Sequence, residues 1–174
     1  FQSYWPELSR PFVQLECATI VTGRVSAASA VRIGIAVSLS GRYALLGKQV
    51  LAGVRLFVED LNRTGGFLLD GNRHTLELIV EDDGSSISRV REKVAGLITQ
   101  HRVDVLLGPY GSGLTFAAAH TAEHYKHVLW NHSGSADYIF ARGLRWQVGL
   151  LSPASTYMHG VLDALHARDP GNHR

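Results

Sequence analysis

The sequence predicts an α/β protein built on a doubly wound parallel sheet with helices on both faces. Short apolar runs rich in β-branched residues alternate along the chain with longer segments whose apolar residues recur at helical spacing. The strand-like runs lack the apolar–polar alternation of a sheet with one solvated face, so both faces are expected to be buried. Right-handed crossovers between strands then place helices on both sides of the sheet.

Five strands and four helices are predicted along the chain. The strand segments are VRIGIAV (31–37), TLELIVEDD (75–83), VDVLLG (103–108), HVLW (127–130) and LRWQVG (144–149). The helical segments are 44–62, 87–98, 114–126 and 158–165. Ser85 or Ser86 is a plausible cap of the second helix, and Asn62, Gly65 and Gly66 mark the end of the first.

Length and composition fit one globular domain. The chain has 174 residues, of which 45% are hydrophobic and 18% charged, enough apolar material for one sizeable core. The net charge is +2 and no tract is rich in Lys or Arg, so a nucleic-acid partner is not expected. The sequence contains no run of about 18 apolar residues, so no membrane span is predicted. Cys17 is the single cysteine, so an internal disulfide is not expected.

The two ends of the chain differ from its middle. Residues 1–30 precede the first predicted strand, and we interpret them as a leader remnant or a disordered lead-in. A poor signal peptide is the alternative, because Glu16, Thr19, Thr22 and Arg24 interrupt its apolar region. The last residues, ARDPGNHR, stop in a turn signal, as if the chain were cut before a further element.

Three polar loops are predicted to converge at one edge of the sheet. In doubly wound sheets, ligands bind beyond the carboxyl ends of the strands, near the point where the strand order reverses. The loops after the first, third and fourth predicted strands are 38–47, 108–112 and 131–135, and all contain Gly, Ser and other small polar residues. This convergence predicts a binding site at the carboxyl edge.

The loop GPYGSG, after the third predicted strand, is compatible with binding of a carboxylate. A phosphate loop requires G-x-x-x-x-G-K-[ST], or G-x-G-x-x-G opening the first helix, and neither is present. A nucleophile elbow requires G-x-S-x-G, but Tyr110 and Leu114 stand at its glycine positions. Ser112 occupies a helix N-cap position, where the free amides of a helix start suit a carboxylate. The alternative is that Ser112 only caps its own helix.

The loop WNHSGSAD, after the fourth predicted strand, repeats this pattern. Ser133, Gly134 and Ser135 offer backbone groups and two hydroxyls, which suit a ligand with both a carboxylate and an ammonium group. An ordinary Ser/Gly turn is the alternative. His132 lies in the same loop, either as a ligand contact or as a solvated or hydrogen-bonded side chain.

Two further patterns have structural explanations beside functional ones. Asp82 and Asp83 close the second strand; such a pair can bind Mg²⁺, but Asp83 is expected to cap the next helix or hold the neighbouring loop. The segment HTAEH (120–124) matches H-x-x-E-H, a zinc-peptidase pattern. No further carboxylate ligand is evident, and cationic residues near a helix C-terminus also favour the helix dipole. Neither a metal nor another cofactor is therefore expected.

Four segments of the chain are IGIAVSLSGRYALLGKQVLAGVRLFVEDLNRTGG, LELIVEDDGSS, VDVLLGPYGSGLT and VLWNHSGSAD. In their order and spacing, they resemble the periplasmic binding protein type 1 family of branched-chain amino acid and amide receptors. The resemblance extends from about residue 31 to about residue 165. The resemblance implies two α/β lobes joined by crossover strands, with the ligand in the cleft between them. It implies an N-terminal ligand-binding lobe over 31–150 and, over 151–174, the truncated start of a second lobe that is largely missing.

The resemblance also implies which residues contact the ligand. The serine after the third strand would bind the ligand carboxylate, and the small-residue loop after the fourth strand would contact both carboxylate and ammonium. Leu46 stands where relatives often place an aromatic residue, and Tyr43 lies three residues earlier. The implied ligand-binding residues are Leu46, Tyr110, Gly111, Ser112, Ser133, Gly134 and Ser135.

The implied function is that of a solute-binding lobe of an ABC importer, exported to the periplasm or the cell exterior. It would recognise a small amino acid, amide or urea-like ligand without catalysis, and would deliver it to a membrane permease. A ligand-sensing lobe of a signalling or regulatory protein is the alternative, which would permit a cytoplasmic location. Only the H-x-x-E-H pattern supports the hypothesis that the chain is an enzyme.

Overall fold

The computed structural model describes residues 30–168. Its strands are β1 (Val31–Val37), β2 (Phe67–Leu69), β3 (Asn72–His74), β4 (Leu76–Asp82), β5 (Val105–Leu107), β6 (Leu129–Asn131) and β7 (Gln147–Gly149). Its helices are α1 (Ala44–Arg63), α2 (Ile87–Thr99), α3 (Ser112–Tyr125), α4 (Asp137–Phe140) and α5 (His159–Arg168), with a 3₁₀ turn over Ala154–Thr156.

Five of the strands form one parallel sheet in the order β4–β1–β5–β6–β7. β1 pairs with β4 along its whole length, and on its other side with β5, where Ile33 lies opposite Val105. The chain first winds to one side of β1 and then to the other, so the strand order reverses between β1 and β5. The predicted doubly wound α/β fold is confirmed.

Alternate residues of β1 are buried on opposite faces of the sheet. Ile33, Ile35 and Val37 lie in clusters that include Leu51 and Val58 of α1. The other face packs against α2 and α3, in a cluster that contains Ala36, Val90, Val94, Leu97, Leu106, Leu114, Ala117, Ala118 and Ala122. Complete burial of a Val or Leu side chain contributes about 1.5–3 kcal/mol relative to exposure. Two covered faces therefore explain why the strands read as continuous apolar runs.

A β-hairpin between α1 and β4 was not predicted. β2 and β3 form a separate two-stranded antiparallel sheet, joined by Asp70 and Gly71, which both have positive φ, 50° and 78°. A two-residue loop with both residues in the left-handed region fits the twist of a hairpin, and Asp-Gly is a preferred sequence for it. Most residues of the hairpin are exposed and β3 is the polar sequence Asn-Arg-His, so the hairpin lacks the buried apolar run by which the sheet strands were predicted.

The segment after β7 leaves the core. No residue of α5 is buried, although Val161, Leu162 and Leu165 give it an apolar stripe. Within residues 30–168, no helix combines the length and apolar character that crossing a membrane requires. The expectation of a leader remnant over 1–30 falls, apart from Ala30, outside the described residues.

Candidate functional site

Three loops meet at the carboxyl edge of the sheet. Residues 38–43 follow β1, residues 108–111 follow β5, and residues 132–136 follow β6. Because these strands are parallel, their carboxyl ends lie at one edge, and β1 and β5 flank the point where the strand order reverses. This edge is the candidate site.

Asp82, at the end of β4, holds the loop after β1. Its Oδ1 accepts hydrogen bonds from the amides of Leu39 at 2.8 Å, Ser40 at 3.3 Å and Gly84 at 2.9 Å. Its Oδ2 accepts one from the Ser40 hydroxyl at 2.7 Å. The carboxylate thus fixes the backbone of the first loop.

Asp83 holds the same loop from inside the protein. It is wholly buried, and its Oδ1 accepts hydrogen bonds from the Ser38 hydroxyl at 2.6 Å and the Ser85 amide at 2.7 Å. Of the two structural roles predicted for Asp83, the loop-holding one is therefore confirmed. Ser86 is the N-cap residue of α2, one of the two positions predicted, but its hydroxyl makes no cap bond to the helix. The Ser85 hydroxyl bonds the first loop instead.

The two carboxyl groups have pKa values that move in opposite directions. Partial burial acts to raise the pKa of Asp82, but its hydrogen bonds, led by that from the Ser40 hydroxyl, lower it from 3.8 to about 2. Burial raises the pKa of Asp83 above 3.8, and the neighbouring Asp82 charge adds to this. Among the described residues, Asp83 Oδ2 is buried and has no hydrogen-bond partner.

The loop after β5 leads directly into α3. Gly111, with φ of +88°, is the N-cap residue, and the helix begins at Ser112. The prediction that Ser112 is the N-cap is therefore wrong by one position: glycine adopts the positive φ that the chain needs to enter the helix. The Ser112 hydroxyl does not cap its helix either; it accepts a hydrogen bond of 3.2 Å from the amide of Ala136.

Asn131 builds the loop after β6. Its side chain is buried; Nδ2 donates to the Gly134 carbonyl at 2.8 Å, and Oδ1 accepts from the amides of Ser133 and Gly134 at 3.2 and 2.7 Å. Gly134 lies against α3, where an added Cβ would approach the side chain of Thr115 to 2.7 Å. The tight turn therefore depends on the side-chain amide of Asn131 and on the small size of Gly134 next to α3.

The loops after β5 and β6 are cross-linked. The amide of Gly111 donates to Ser133 Oγ at 3.1 Å, and His132 Nε2 lies 2.7 Å from the carbonyl oxygen of Gly108. Together with the bond between Ser112 and Ala136, these contacts make the two loops one unit. Of the predicted site residues, Gly111 and Ser133 are joined directly by a hydrogen bond, and Ser112 bonds Ala136, the residue after Ser135.

Aromatic side chains connect the first loop to this unit. The rings of Tyr43 and Tyr110 meet edge to face, with centroids 5.9 Å apart, and the Arg42 guanidinium lies 4.4 Å from the centre of the Tyr43 ring. Leu46 lies in the first turns of α1 with 37% of its surface exposed. The aromatic group of the first loop is therefore Tyr43, three residues before the position that the family resemblance indicated.

The edge offers many hydrogen-bond donors. Among residues 30–168, no side chain accepts a hydrogen bond from the amides in the first turn of α3. The hydroxyls of Ser112 and Ser133 accept bonds from the backbone, so their hydrogen atoms remain available to donate. Ser135 adds a third hydroxyl in the same loop. Donors at the positive end of a helix suit a carboxylate.

A different role is found for the H-x-x-E-H segment. Glu123 Oε2 accepts hydrogen bonds from the amides of Arg145 and Trp146, both at 2.9 Å, and so joins α3 to the chain entering β7. His120 Nδ1 lies 2.9 Å from the Phe116 carbonyl of its own helix. Within the described part of the chain, no group of three or more His, Cys, Asp or Glu side chains is placed to hold a metal.

A cavity of about 600 Å³ lies at the opposite edge of the sheet, lined by charged residues that include Arg32, Glu77, Arg102 and Asp104. Arg32 is bound there by Glu77 at 3.3 Å, and its amide donates to Asp104 at 2.8 Å. This cavity lies at the amino ends of the strands, whereas ligands of open α/β sheets bind at the carboxyl ends. We therefore place the candidate site at the carboxyl edge.

A parallel sheet with polar loops at its carboxyl edge is typical of α/β ligand-binding lobes. The family model described as "Periplasmic binding protein" matches residues 30–167. The chain belongs to the periplasmic binding protein family.

Individual relatives agree with this assignment. The Leu/Ile/Val-binding protein homolog 7 of Brucella suis biovar 1 is 26% identical over 137 residues, which cover 79% of this chain and 33% of the relative. The branched-chain amino acid transporter substrate binding protein LivJ of Streptococcus pneumoniae, solved with isoleucine, is 26% identical with a TM-score of 0.64, covering 77% and 39%. An ABC transporter solute binding protein of R. palustris, solved with benzoate, is 24% identical with a TM-score of 0.63, covering 80% and 37%. The chain spans about a third of the length of the curated relatives it matches.

Some residues that shape the site were missed by the sequence analysis. Asn131 was included only as the start of a loop, and Thr115 was not singled out, although it packs on Gly134 and donates to the Pro109 carbonyl at 3.1 Å. Asn before a small-residue turn is a known signal for side-chain to backbone bonding and could have indicated Asn131. Nothing local in the sequence indicates the role of Thr115.

Proposed function

We propose that this chain is the ligand-binding lobe of an ABC importer solute receptor, which binds a small amino acid, amide or urea-like ligand without chemical change. One observation carries the proposal: hydrogen bonds cross-link the loops after β5 and β6. The start of α3 and the hydroxyls of Ser112 and Ser133 therefore lie together at the carboxyl edge of the sheet. Such an array of fixed donors recognises a carboxylate or a carbonyl oxygen.

Binding without catalysis agrees with what the acidic groups near the edge do. Asp82 and Asp83 hold the first loop, and Asp137 accepts a hydrogen bond from the Ser155 hydroxyl. A general base needs a proton acceptor within reach of the substrate, and these carboxylates are engaged in hydrogen bonds within the protein instead. The names of two matched relatives, a Leu/Ile/Val-binding protein homolog and a branched-chain amino acid transporter substrate binding protein, support the same proposal.

The proposed receptor closes on its ligand with a second lobe. We propose that residues 31–150 form the first lobe and that the segment from 151 onward leads into the second, which agrees with the absence of buried residues in α5. The segment after β7 is tied to the site, because the Ala154 amide donates to the Ser135 carbonyl at 2.7 Å and the Ser155 hydroxyl donates to Asp137. Export from the cytoplasm and delivery to a membrane permease are part of this proposal.

Thermal unfolding with ligands tests the proposed function. L-isoleucine, acetamide and urea are added to this chain at concentrations up to the tens of millimolar. A ligand at ten times its Kd stabilises the folded state by about 1.4 kcal/mol and so raises the Tm. Ser112→Ala is expected to remove the shift, while Ser152→Ala, an exposed serine after β7, keeps it. No shift with any of the three compounds would contradict a receptor for this ligand class and favour the sensing alternative.

A further inference from the structure

The chain contains two Asp-Gly pairs, and the fold places them in opposite environments. Asp70 and Gly71 form the turn between β2 and β3, and both residues are exposed. Asp83 and Gly84 follow β4, and there the aspartate is wholly buried. In such a pair the backbone nitrogen after the aspartate can come close to the side-chain carboxyl, because glycine has no Cβ to obstruct the approach.

Both groups that could react are free in the first pair. Among residues 30–168, neither the Asp70 carboxyl nor the Gly71 amide makes a hydrogen bond; only the Asp70 carbonyl accepts one, from Asn72 Nδ2 at 3.3 Å. A Cβ at Gly71 would meet nothing within 4 Å, so the carboxyl has room to turn. A hairpin with two strands of three residues is only marginally stable by itself, and its turn therefore opens at little cost.

The same groups are held in place in the second pair. The Gly84 amide donates to Asp82 Oδ1 at 2.9 Å, and Asp83 Oδ1 accepts from the Ser38 hydroxyl at 2.6 Å. A Cβ at Gly84 would lie 2.6 Å from Nη1 of Arg89, so this turn is also crowded. A reaction between the nitrogen and the carboxyl would first have to break these contacts at the end of the core.

We propose that the Asp70–Gly71 turn is a modification site, at which Asp70 isomerises to isoaspartate through a cyclic imide. The Gly71 nitrogen loses its proton and bonds Cγ of Asp70, the C–OH bond of the carboxyl group breaks, and the proton and hydroxyl leave as water. Water then adds to one of the two imide carbonyl carbons, and the bond from that carbon to nitrogen breaks. Addition at Cγ restores aspartate, whereas addition at the backbone carbonyl carbon leaves Gly71 joined through the side chain. The product has the composition of the original chain, so the reaction needs no other reactant.

The modification changes the hairpin but not the ligand edge. Isoaspartate adds one carbon to the main chain of a two-residue turn whose residues both have positive φ, so the turn no longer fits the pairing of β2 with β3. These two strands form a sheet of their own, apart from the five-stranded sheet that carries the proposed ligand site. The inference is therefore independent of the proposed function.

Peptide mapping of the aged chain tests the proposal. The folded chain is incubated in mildly acidic buffer, which keeps a fraction of carboxyl groups protonated, and is then cut with trypsin. Cleavage after arginine gives the peptides 64–73 and 74–89, so each Asp-Gly pair lies in its own peptide. Electron-transfer fragmentation distinguishes isoaspartate from aspartate at each position. We expect isoaspartate to form at Asp70 at least about tenfold faster than at Asp83, which corresponds to about 1.4 kcal/mol of extra opening free energy for the second pair.

The unfolded chain and two variants serve as controls. In guanidinium chloride both pairs are expected to react at similar rates, because neither is then held by the fold. Asp70→Glu keeps the charge but would need a larger ring, and is expected to abolish the modified form of peptide 64–73. Asp70→Asn reaches the same imide with loss of ammonia and is expected to form isoaspartate faster. Equal rates at the two pairs in the folded chain, or modification of peptide 64–73 only after unfolding, would overturn the inference.

Discussion

The backbone amide of Gly111 donates a hydrogen bond of 3.1 Å to the hydroxyl of Ser133. These residues lie in loops that the whole of α3 separates along the chain, and the bond joins the two loops at the carboxyl edge of the sheet. Because the same edge carries the start of α3, the geometry of the proposed ligand site depends on this cross-link. A change at Ser133 is therefore expected to disturb the site even without direct contact to a ligand.

Ser133→Ala is expected to lower the free energy of unfolding by about 1 kcal/mol, since it leaves the partly buried Gly111 amide without an acceptor. Urea unfolding measures this change. The matched control is Ser152→Ala, at an exposed serine for which the described residues show no hydrogen bond; its effect is expected to stay within about 0.5 kcal/mol. Equal effects of the two substitutions would argue against the cross-link.

Two glycines of α1, Gly47 and Gly53, allow a matched test of how closely this helix packs against the first loop. A Cβ at Gly47 would overlap the carbonyl oxygen of Ser38, whereas one at Gly53 meets nothing within 4 Å. Gly47→Ala is expected to destabilise by about 1–3 kcal/mol through overpacking. Gly53→Ala, in contrast, is expected to stabilise by about 0.5–1 kcal/mol through helix propensity. Thermal and urea unfolding compare the two variants. A neutral Gly47→Ala would mean that α1 does not approach the first loop this closely.

The sequence was sufficient for the architecture but only partly for the site. Apolar runs and helical spacing predicted the five strands of the sheet and four of the helices, because burial on two faces leaves a strong local pattern. The hairpin over β2 and β3 was missed because it is mostly exposed and lacks a buried apolar run. The helix α4 was missed because its four residues make about one turn, too short for helical periodicity. Nothing near Ser112 in the sequence indicates that its hydroxyl bonds Ala136, because that contact depends on how two loops meet in the fold.

The aspartate pair predicts opposite pH dependences of stability. Burial raises the folded-state pKa of Asp83 above 3.8, so its protonated form favours the folded state. This contribution is complete below pH 3.8 and is lost as the pH rises through the folded-state pKa. Asp83→Asn does not titrate and keeps one oxygen for the Ser38 hydroxyl. The unfolding free energy of the unmodified chain is therefore expected to fall relative to that of Asp83→Asn as the pH rises.

Asp82 gives the matched comparison with the reverse sign. Its folded-state pKa is lowered from 3.8 to about 2, so its contribution is present above pH 3.8 and is lost as the pH falls toward 2. We expect Asp82→Asn to remove about 1 kcal/mol near neutral pH, after allowance for solvent screening of a partly exposed carboxylate. Urea unfolding at several pH values checks both variants, and parallel pH curves for the two would contradict the assigned environments.

The role of Glu123 is tested against the zinc hypothesis. Glu123→Ala leaves the amides of Arg145 and Trp146 without their acceptor and is expected to destabilise by about 1–2 kcal/mol. His120→Ala is expected to change stability by less than about 0.5 kcal/mol, because His120 bonds only within its own helix. Thermal unfolding with and without added zinc checks both. Stabilisation by zinc that His120→Ala abolishes would contradict the structural role.

The central claim is that the carboxyl edge of the sheet is the ligand site. Heteronuclear NMR titration of this chain with L-isoleucine tests it most directly, because the backbone N–H of every residue except proline gives a separate signal. The expected result is a set of saturable shifts at the amides of residues 111–114 and 132–136, and their loss in Ser112→Ala. Shifts confined to the cavity at the opposite edge, around Arg32, Arg102 and Asp104, would contradict the account.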